Sequence, residues 1–245
     1  MSKTLVLYVF HIYNQRVARF IKNCIFYKDN IDFIVISNGD NTYLDLPDYV
    51  KFFKRENIGF DFGGWSDALL TNDLYKNYNK FIFVNSSVSG PFLPSYYKGK
   101  WTDVYLEELK YNNIKLFGST INTMENPRNK AHVQSYIFSL EKEALEYLIE
   151  KKIFTKEKYV ETLTEAIETR EIAMSRLIIE NNWNIGCLLP IYKNIDFTFK
   201  NSSPQEYNIP YEEDLMYEHF RNILWSEYQL VFIKGNRMSN IKLIK

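Results

Sequence analysis

The chain has 245 residues, 46% hydrophobic and 24% charged, enough for one large domain with its own buried core. Lys plus Arg equals Asp plus Glu at 30 each, so no bulk field recommends nucleic acid or an anionic membrane as a partner. Cys24 and Cys187 are spaced for neither a metal site nor a disulfide and read as small apolar residues in a reducing compartment.

The N-terminal "MSKTLVLYVFHIYNQ" holds an apolar run too short to span a bilayer and has no small-residue cleavage site. It predicts a buried first strand over Leu5–Phe10 and a cytoplasmic protein without a signal peptide. "QRVARFIKNCIFY" follows at helical spacing, "DFIVISNGD" is a second buried strand, and "YVKFFKREN" is a short third. "GWSDALLTNDLYKNY" predicts a helix beginning near Ser66 or Asp67, "KFIFVNSS" a strand before the loop "SGPFLPS", and "NIKLFGST" another strand. This alternation predicts an α/β fold with a mostly parallel central sheet flanked by helices. Beyond it, "HVQSYIFSLEKEALEYLIEKK" passes from strand to helix, and "YVETLTEAIETREIAMSRLIIENN" is one long amphipathic helix or a pair. "WNIGCLLPIY" is a late strand, and from about Asn194 the chain is polar and aromatic up to "YQLVFIKGNR". No repeat or linker interrupts it, so 1–245 is expected to be a single domain. Aromatic residues reach 17%, which suits stacking on sugar C–H groups and equally suits AT-rich coding.

In an open α/β sheet, ligands bind beyond the carboxyl ends of the strands. Those ends deliver His11, Tyr13 and Asn14, then Ser37, Asn38 and Asp40, then Arg55, Glu56, Asn57 and Asp61, then Asn85, Ser86 and Ser87. Four ends loaded with amides, hydroxyls and charges predict a cleft for a polar ligand. Within "RENIGFDFGGWSDALL", Gly59, Gly63 and Gly64 lack the Lys-Ser or Lys-Thr of a P-loop and the order of the dinucleotide fingerprint. A methyltransferase glycine loop would follow the first strand. The stretch therefore predicts a glycine loop of another kind, where backbone freedom and a helix start admit a ligand closely.

"RENIGFDFGGWSDAL" followed by "FIFVNSSVSGPFLP" resembles the rhamnan synthesis protein F family and its relatives. The resemblance continues through "KLFGSTIN", "AHVQSYIFSLEKEALEYL", "REIAMSRLIIENNWNIGCLLP" and "YQLVFIKGNR", covering nearly the whole chain in order. It implies a glycosyltransferase of the GT-A (Rossmann-like) fold. Such an enzyme moves a sugar, rhamnose or another deoxyhexose, from a UDP-, GDP- or dTDP-linked donor to a glycan hydroxyl with inversion. Residues 1–120 would then bind the nucleotide-sugar, and 121–245 would hold the acceptor-binding and catalytic half with the C-terminal tail.

The resemblance assigns Asn14, Asn38, Arg55, Asn57, Gly59, Asp61, Gly64, Asn85, Ser86 and Ser87 to the donor. Asn85–Ser87 falls where GT-A enzymes carry an Asp-X-Asp metal motif, and many relatives have Asn-Asp-Ser there. Here Ser86 stands in place of that Asp, although Mn²⁺ and Mg²⁺ prefer carboxylate oxygens. Two alternatives follow. Either Asp61 or Asp103 supplies a metal ligand, or the cations of "FIKGNR", Lys234 and Arg237, neutralise the leaving diphosphate. Inversion requires a base, for which the resemblance points to Glu171, with His132 as the other candidate. Gln134, Ser135 and Trp101 are expected on the acceptor side. The rival expectation is a non-catalytic nucleotide-sugar- or glycan-binding module that kept the fold without a metal site.

Overall fold

The computed structural model of the chain describes residues 2–39, 43–123, 130–207, 209, 219–220, 223–224 and 226–235. Asp40 and Arg237 lie outside them.

A seven-stranded sheet forms the centre. In chain order its strands are β1 (Thr4–Phe10), β2 (Ile31–Asn38), β3 (Val50–Arg55), β4 (Lys80–Asn85), β6 (Ile114–Gly118), β9 (Ile137–Glu141) and β10 (Asn184–Cys187). Short strands β5 (Val88–Ser89), β7 (Ile121–Asn122) and β8 (His132–Val133) lie off the sheet. The spatial order is β10-β6-β9-β4-β1-β2-β3, with strands from both halves of the chain side by side. β1 pairs in parallel with β2 and β4, β2 with β3, and β6 with β10; β9 is antiparallel to both β4 and β6. The mostly parallel sheet is as the sequence predicts.

Every residue of β1 is buried, because helices cover both sheet faces. On one face Leu5, Leu7 and Val9 pack with Trp65, Phe83 and Phe138; on the other Val6, Tyr8 and Phe10 pack with Phe20, Trp101 and Phe232. The inserted strand β9 is keyed by an aromatic cross-strand pair. Phe83 of β4 faces Phe138 of β9 with ring centroids 4.7 Å apart and planes 9° from parallel.

The helices are α1 (Gln15–Cys24), α2 (Phe60–Leu70), α3 (Trp101–Glu107), α4 (Lys142–Glu150), α5 (Leu163–Ala166), α6 (Ala173–Glu180) and, near the C-terminus, α7 (Glu227–Leu230). Asn14 caps α1, its Oδ1 accepting from the amides of Arg16 at 2.9 Å and Val17 at 3.3 Å. The expected start of α2 at Ser66 or Asp67 is corrected: α2 begins at Phe60, with Gly59 at φ +74° as its N-cap. Gly63 and Gly64 thus lie inside a helix, not in a loop. A Cβ on Gly64 would stand 2.8 Å from Asn38 Oδ1 and 2.9 Å from Val9 Cγ2. The close approach there is between helix and sheet, not between backbone and ligand. The long helix predicted around residue 170 is divided by a π-helical turn, Ile167–Ile172, between α5 and α6.

The C-terminal segment is stitched to the sheet. Leu230 C=O accepts from Ser119 Oγ at 2.9 Å and Tyr105 OH at 3.2 Å. Phe232 is fully buried against Phe20, Trp101 and Tyr105. The next two residues form a strand, Ile233–Lys234, antiparallel to β5 with Lys234 opposite Val88. No helix among the described residues is long and apolar enough to cross a membrane.

Phe138→Ala removes the ring that seats β9 on β4. It is expected to lower unfolding stability by roughly 3–5 kcal/mol in urea titrations. A loss below about 1 kcal/mol would show that this pair is not what holds the inserted strand.

Candidate functional site

β4 ends at Asn85, and the turn after it is organised by that residue's amide. Asn85 Nδ2 donates to Asp61 Oδ2 at 2.9 Å, while Asn85 Oδ1 accepts from the Ser87 amide at 3.0 Å and from Ser87 Oγ at 2.5 Å. The Ser87 carbonyl accepts from the Gly235 amide at 2.7 Å, which brings Lys234 to the same turn. The Ser86 carbonyl accepts from Arg16 Nε at 3.1 Å.

Asp61, in the first turn of α2, feels its neighbours strongly. Burial pushes its pKa from 3.8 up to about 6, and the nearby Glu171 carboxylate adds to this; the Asn85 hydrogen bond and the charges of Lys234 and His11 oppose it. Glu171 sits in the π-helical turn, its side chain 14% exposed. Burial disfavours its charge, but the His132 hydrogen bond and charge, the Ser135 hydroxyl and Lys234 outweigh that and hold it below the usual carboxylate range. Ser135 Oγ donates to Glu171 Oε2, and His132 Nε2 stands 3.5 Å from Glu171 Oε1. His132 Nδ1 is 2.7 Å from the Lys130 carbonyl, which fixes the ring beside Glu171. Ser175 of α6 accepts from the Val133 amide at 2.9 Å and ties β8 to the helix carrying Glu171.

The fold therefore brings Asp61, Asn85, Ser86, Ser87, His132, Ser135, Glu171 and Lys234 together beside the ends of β1 and β4. Other predicted residues sit elsewhere. Asn38 and Arg55 belong to a polar network under α2. Arg55 Nε donates to Asp67 at 2.6 Å and its Nη1 to Asn38 at 3.0 Å, Asn38 Nδ2 donates to Phe60 C=O at 2.8 Å, and Tyr159 OH donates to Asp67 at 2.6 Å. The Arg55 side chain is only 8% exposed. Gly64 packs on Asn38. Asn57 and Gly59 line a cavity of about 460 Å³ with Phe60 and Tyr159. Gln134 is buried and accepts from Thr120 at 2.7 Å. Trp101 lies in the core, its Nε1 donating to Cys24 C=O at 2.8 Å, and Asp103 caps α3 and pairs with Lys28 at 3.2 Å. Neither reaches the cluster.

Arg16 escaped the sequence reading. Its only signal was its place in the first turn of the helix that follows β1. Among the described residues no group of three or more His, Cys, Asp or Glu side chains could hold a metal ion.

The molecule is an α/β protein whose mostly parallel sheet has acids, an amide, hydroxyls and a lysine converging at its strand ends, the place where open α/β sheets bind ligands. The chain belongs to the rhamnan synthesis protein F family, whose family model matches residues 33–216. Membership supports glycosyl transfer as the broad class of chemistry. No curated protein matches the chain. Among solved structures it is similar to a cytidylyltransferase from Leptospira borgpetersenii, with 14% identity, TM-score 0.38, and coverage of 76% of this chain and 75% of that one. It is also similar to the bifunctional glycosyltransferase WbbM, with 12% identity, TM-score 0.39 and coverage of 84% and 43%. A third is the glycosyltransferase GlyE of Streptococcus pneumoniae, with 11% identity, TM-score 0.35 and coverage of 70% and 44%. The chain thus spans less than half of the last two.

The raised pKa of Asp61 has a signed consequence. Below about pH 4 folded and unfolded chains both hold its proton; between there and about 6 only the folded chain does, so this stability is lost as pH rises through 6. Asp61→Asn keeps an acceptor for Asn85 and removes the loss. The variant's stability relative to wild type is expected to grow by on the order of 2–3 kcal/mol between about pH 4 and pH 8 in urea titrations. A pH-independent difference would contradict the burial of this charge.

Proposed function

We propose that the protein transfers a glycosyl group from a nucleotide-sugar to a hydroxyl of a glycan acceptor. The observation that carries this reading is the convergence of Glu171 and Lys234 on Asp61 and the Asn85–Ser87 turn. One carboxylate there is held below the usual carboxylate range and the other is raised to about 6, beside a lysine.

In the proposed reaction a Glu171 oxygen takes the proton from the acceptor hydroxyl. The acceptor's hydroxyl oxygen, losing that proton, forms the bond to the anomeric carbon as the bond from this carbon to the diphosphate oxygen breaks. The electron pair leaves on the nucleoside diphosphate, and a single displacement inverts the anomeric centre. Ser135 and His132 hold Glu171 and keep it ionised while the acceptor approaches. Asp61, Asn85 and Ser87 present the acceptor and donor groups that orient the sugar and diphosphate. Residues 1–120 carry the donor side and 121–245 the acceptor side and the base. The donor sugar is a deoxyhexose of the rhamnose kind, linked to UDP, GDP or dTDP; the family's name is what supports it.

The test is turnover on a panel of UDP-, GDP- and dTDP-sugars with oligosaccharide acceptors, read by mass spectrometry. Glu171→Gln is expected to lower the rate by about 100-fold or more while nucleoside diphosphate affinity stays within about threefold. Unchanged turnover would remove Glu171 from the mechanism. Diphosphate binding without transfer from any donor would favour a binding module instead.

A further inference from the structure

The GT-A resemblance implies a divalent cation on the diphosphate, and the residues present do not fit one. Asn85 Oδ1, the only atom of this side chain that could bind a cation, already accepts two hydrogen bonds from Ser87, and its Nδ2 is a donor. Ser86 brings a hydroxyl where a carboxylate would be needed. Asp61 is one carboxylate, already hydrogen-bonded, and Glu171 is engaged by Ser135 and His132. Hard cations such as Mg²⁺ and Mn²⁺ are ordinarily held by carboxylate oxygens together with phosphate.

Two protein cations flank the same turn. Arg16 approaches it from α1 through its Nε bond to the Ser86 carbonyl, and its terminal nitrogens make no hydrogen bond among the described residues. Lys234 is brought to it on a strand fixed to β5 by the register Lys234↔Val88 and the Gly235–Ser87 hydrogen bond. The two elements touch: a Cβ on Gly235 would stand 3.4 Å from Arg16 Cδ. Phe232, buried between α1 and α3, anchors the strand that carries Lys234. A fork of guanidinium donors and an ammonium beside one turn is the chemistry that binds a diphosphate.

We propose that Arg16 and Lys234 form a diphosphate-binding pair that stabilises the leaving group without a divalent metal. As a nucleotide site this rests on the glycosyl-transfer reading; as an anion site it stands on the turn itself. The leaving diphosphate gains negative charge when the glycosidic C–O bond breaks, and fixed cations at the turn meet that charge without reorganising.

Calorimetry with inorganic pyrophosphate, UDP, GDP and dTDP, in EDTA and again with Mn²⁺, tests the pair. Pyrophosphate and at least one nucleotide are expected to bind in EDTA with affinity within about threefold of that in Mn²⁺. Arg16→Ala and Lys234→Ala are each expected to weaken binding about tenfold or more, by loss of a charge-assisted contact. Lys234→Arg should retain most of the affinity, and Lys76→Ala, in a surface ion pair with Asp73, should bind as wild type. Circular dichroism establishes that each variant is folded. Binding that requires Mn²⁺, or folded alanine variants that bind as wild type, would overturn the pair. Arg16- and Lys234-dependent pyrophosphate binding without binding of any nucleotide would keep the pair and sink the nucleotide-sugar reading. Binding of none of the four would sink both.

Discussion

The site hangs on one side-chain amide. Asn85 donates to Asp61 on α2 and accepts from Ser87 in the following turn, so it joins a helix start to a strand end. Ser87 in turn receives the Gly235 amide, and with it the strand that carries Lys234. An aspartate at this position would set two carboxylates against each other, where the amide offers a donor to one side and an acceptor to the other. The acid, the turn and the cation are thus positioned by groups that cannot move independently.

The two acids at the site are pushed in opposite directions. Burial and the Glu171 charge lift Asp61 to about 6, whereas hydrogen bonds from His132 and Ser135 hold Glu171 down in spite of burial. Lys234 favours ionisation of both. Two carboxylates separated in this way are suited to different tasks. Glu171 is charged at neutral pH and can take a proton, and Asp61 stays sensitive to whatever charge arrives beside it. The π-helical turn matters here, because it sets Glu171 toward Ser135 while Ser175 on α6 holds β8 and therefore His132.

β1, β2 and β4 are legible because each is a nearly continuous apolar run, buried on both faces; the edge strand β3 is only partly buried. The sense of the antiparallel β9 is not legible, since "YIFSL" reads the same in either direction and only its pairing, Phe83 of β4 opposite Phe138 of β9, reveals it. The glycines of "GFDFGGW" have, in sequence alone, the look of a ligand loop. In the fold Gly64 lets α2 pack on Asn38 and Val9, a contact between residues far apart in sequence, while Gly59 faces Tyr159 and Gly63 the Ile58 carbonyl. Glu171, His132 and Ser135 were marked through the family resemblance, and their meeting depends on tertiary packing. Arg16 was passed over because an arginine in a helix's first turn has no local pattern; only the pairing of the C-terminal strand with β5 shows what it faces.

The central claim is that a nucleotide-sugar occupies the space between the Asn85–Ser87 turn, Lys234 and Glu171. A crystal structure of the protein soaked with UDP-, GDP- and dTDP-sugars measures this most directly. The account predicts the diphosphate against Arg16, Lys234 and Ser87, with the anomeric carbon facing the Glu171 carboxylate. A nucleotide bound away from this turn, or a sugar whose anomeric carbon faces away from Glu171, would contradict it.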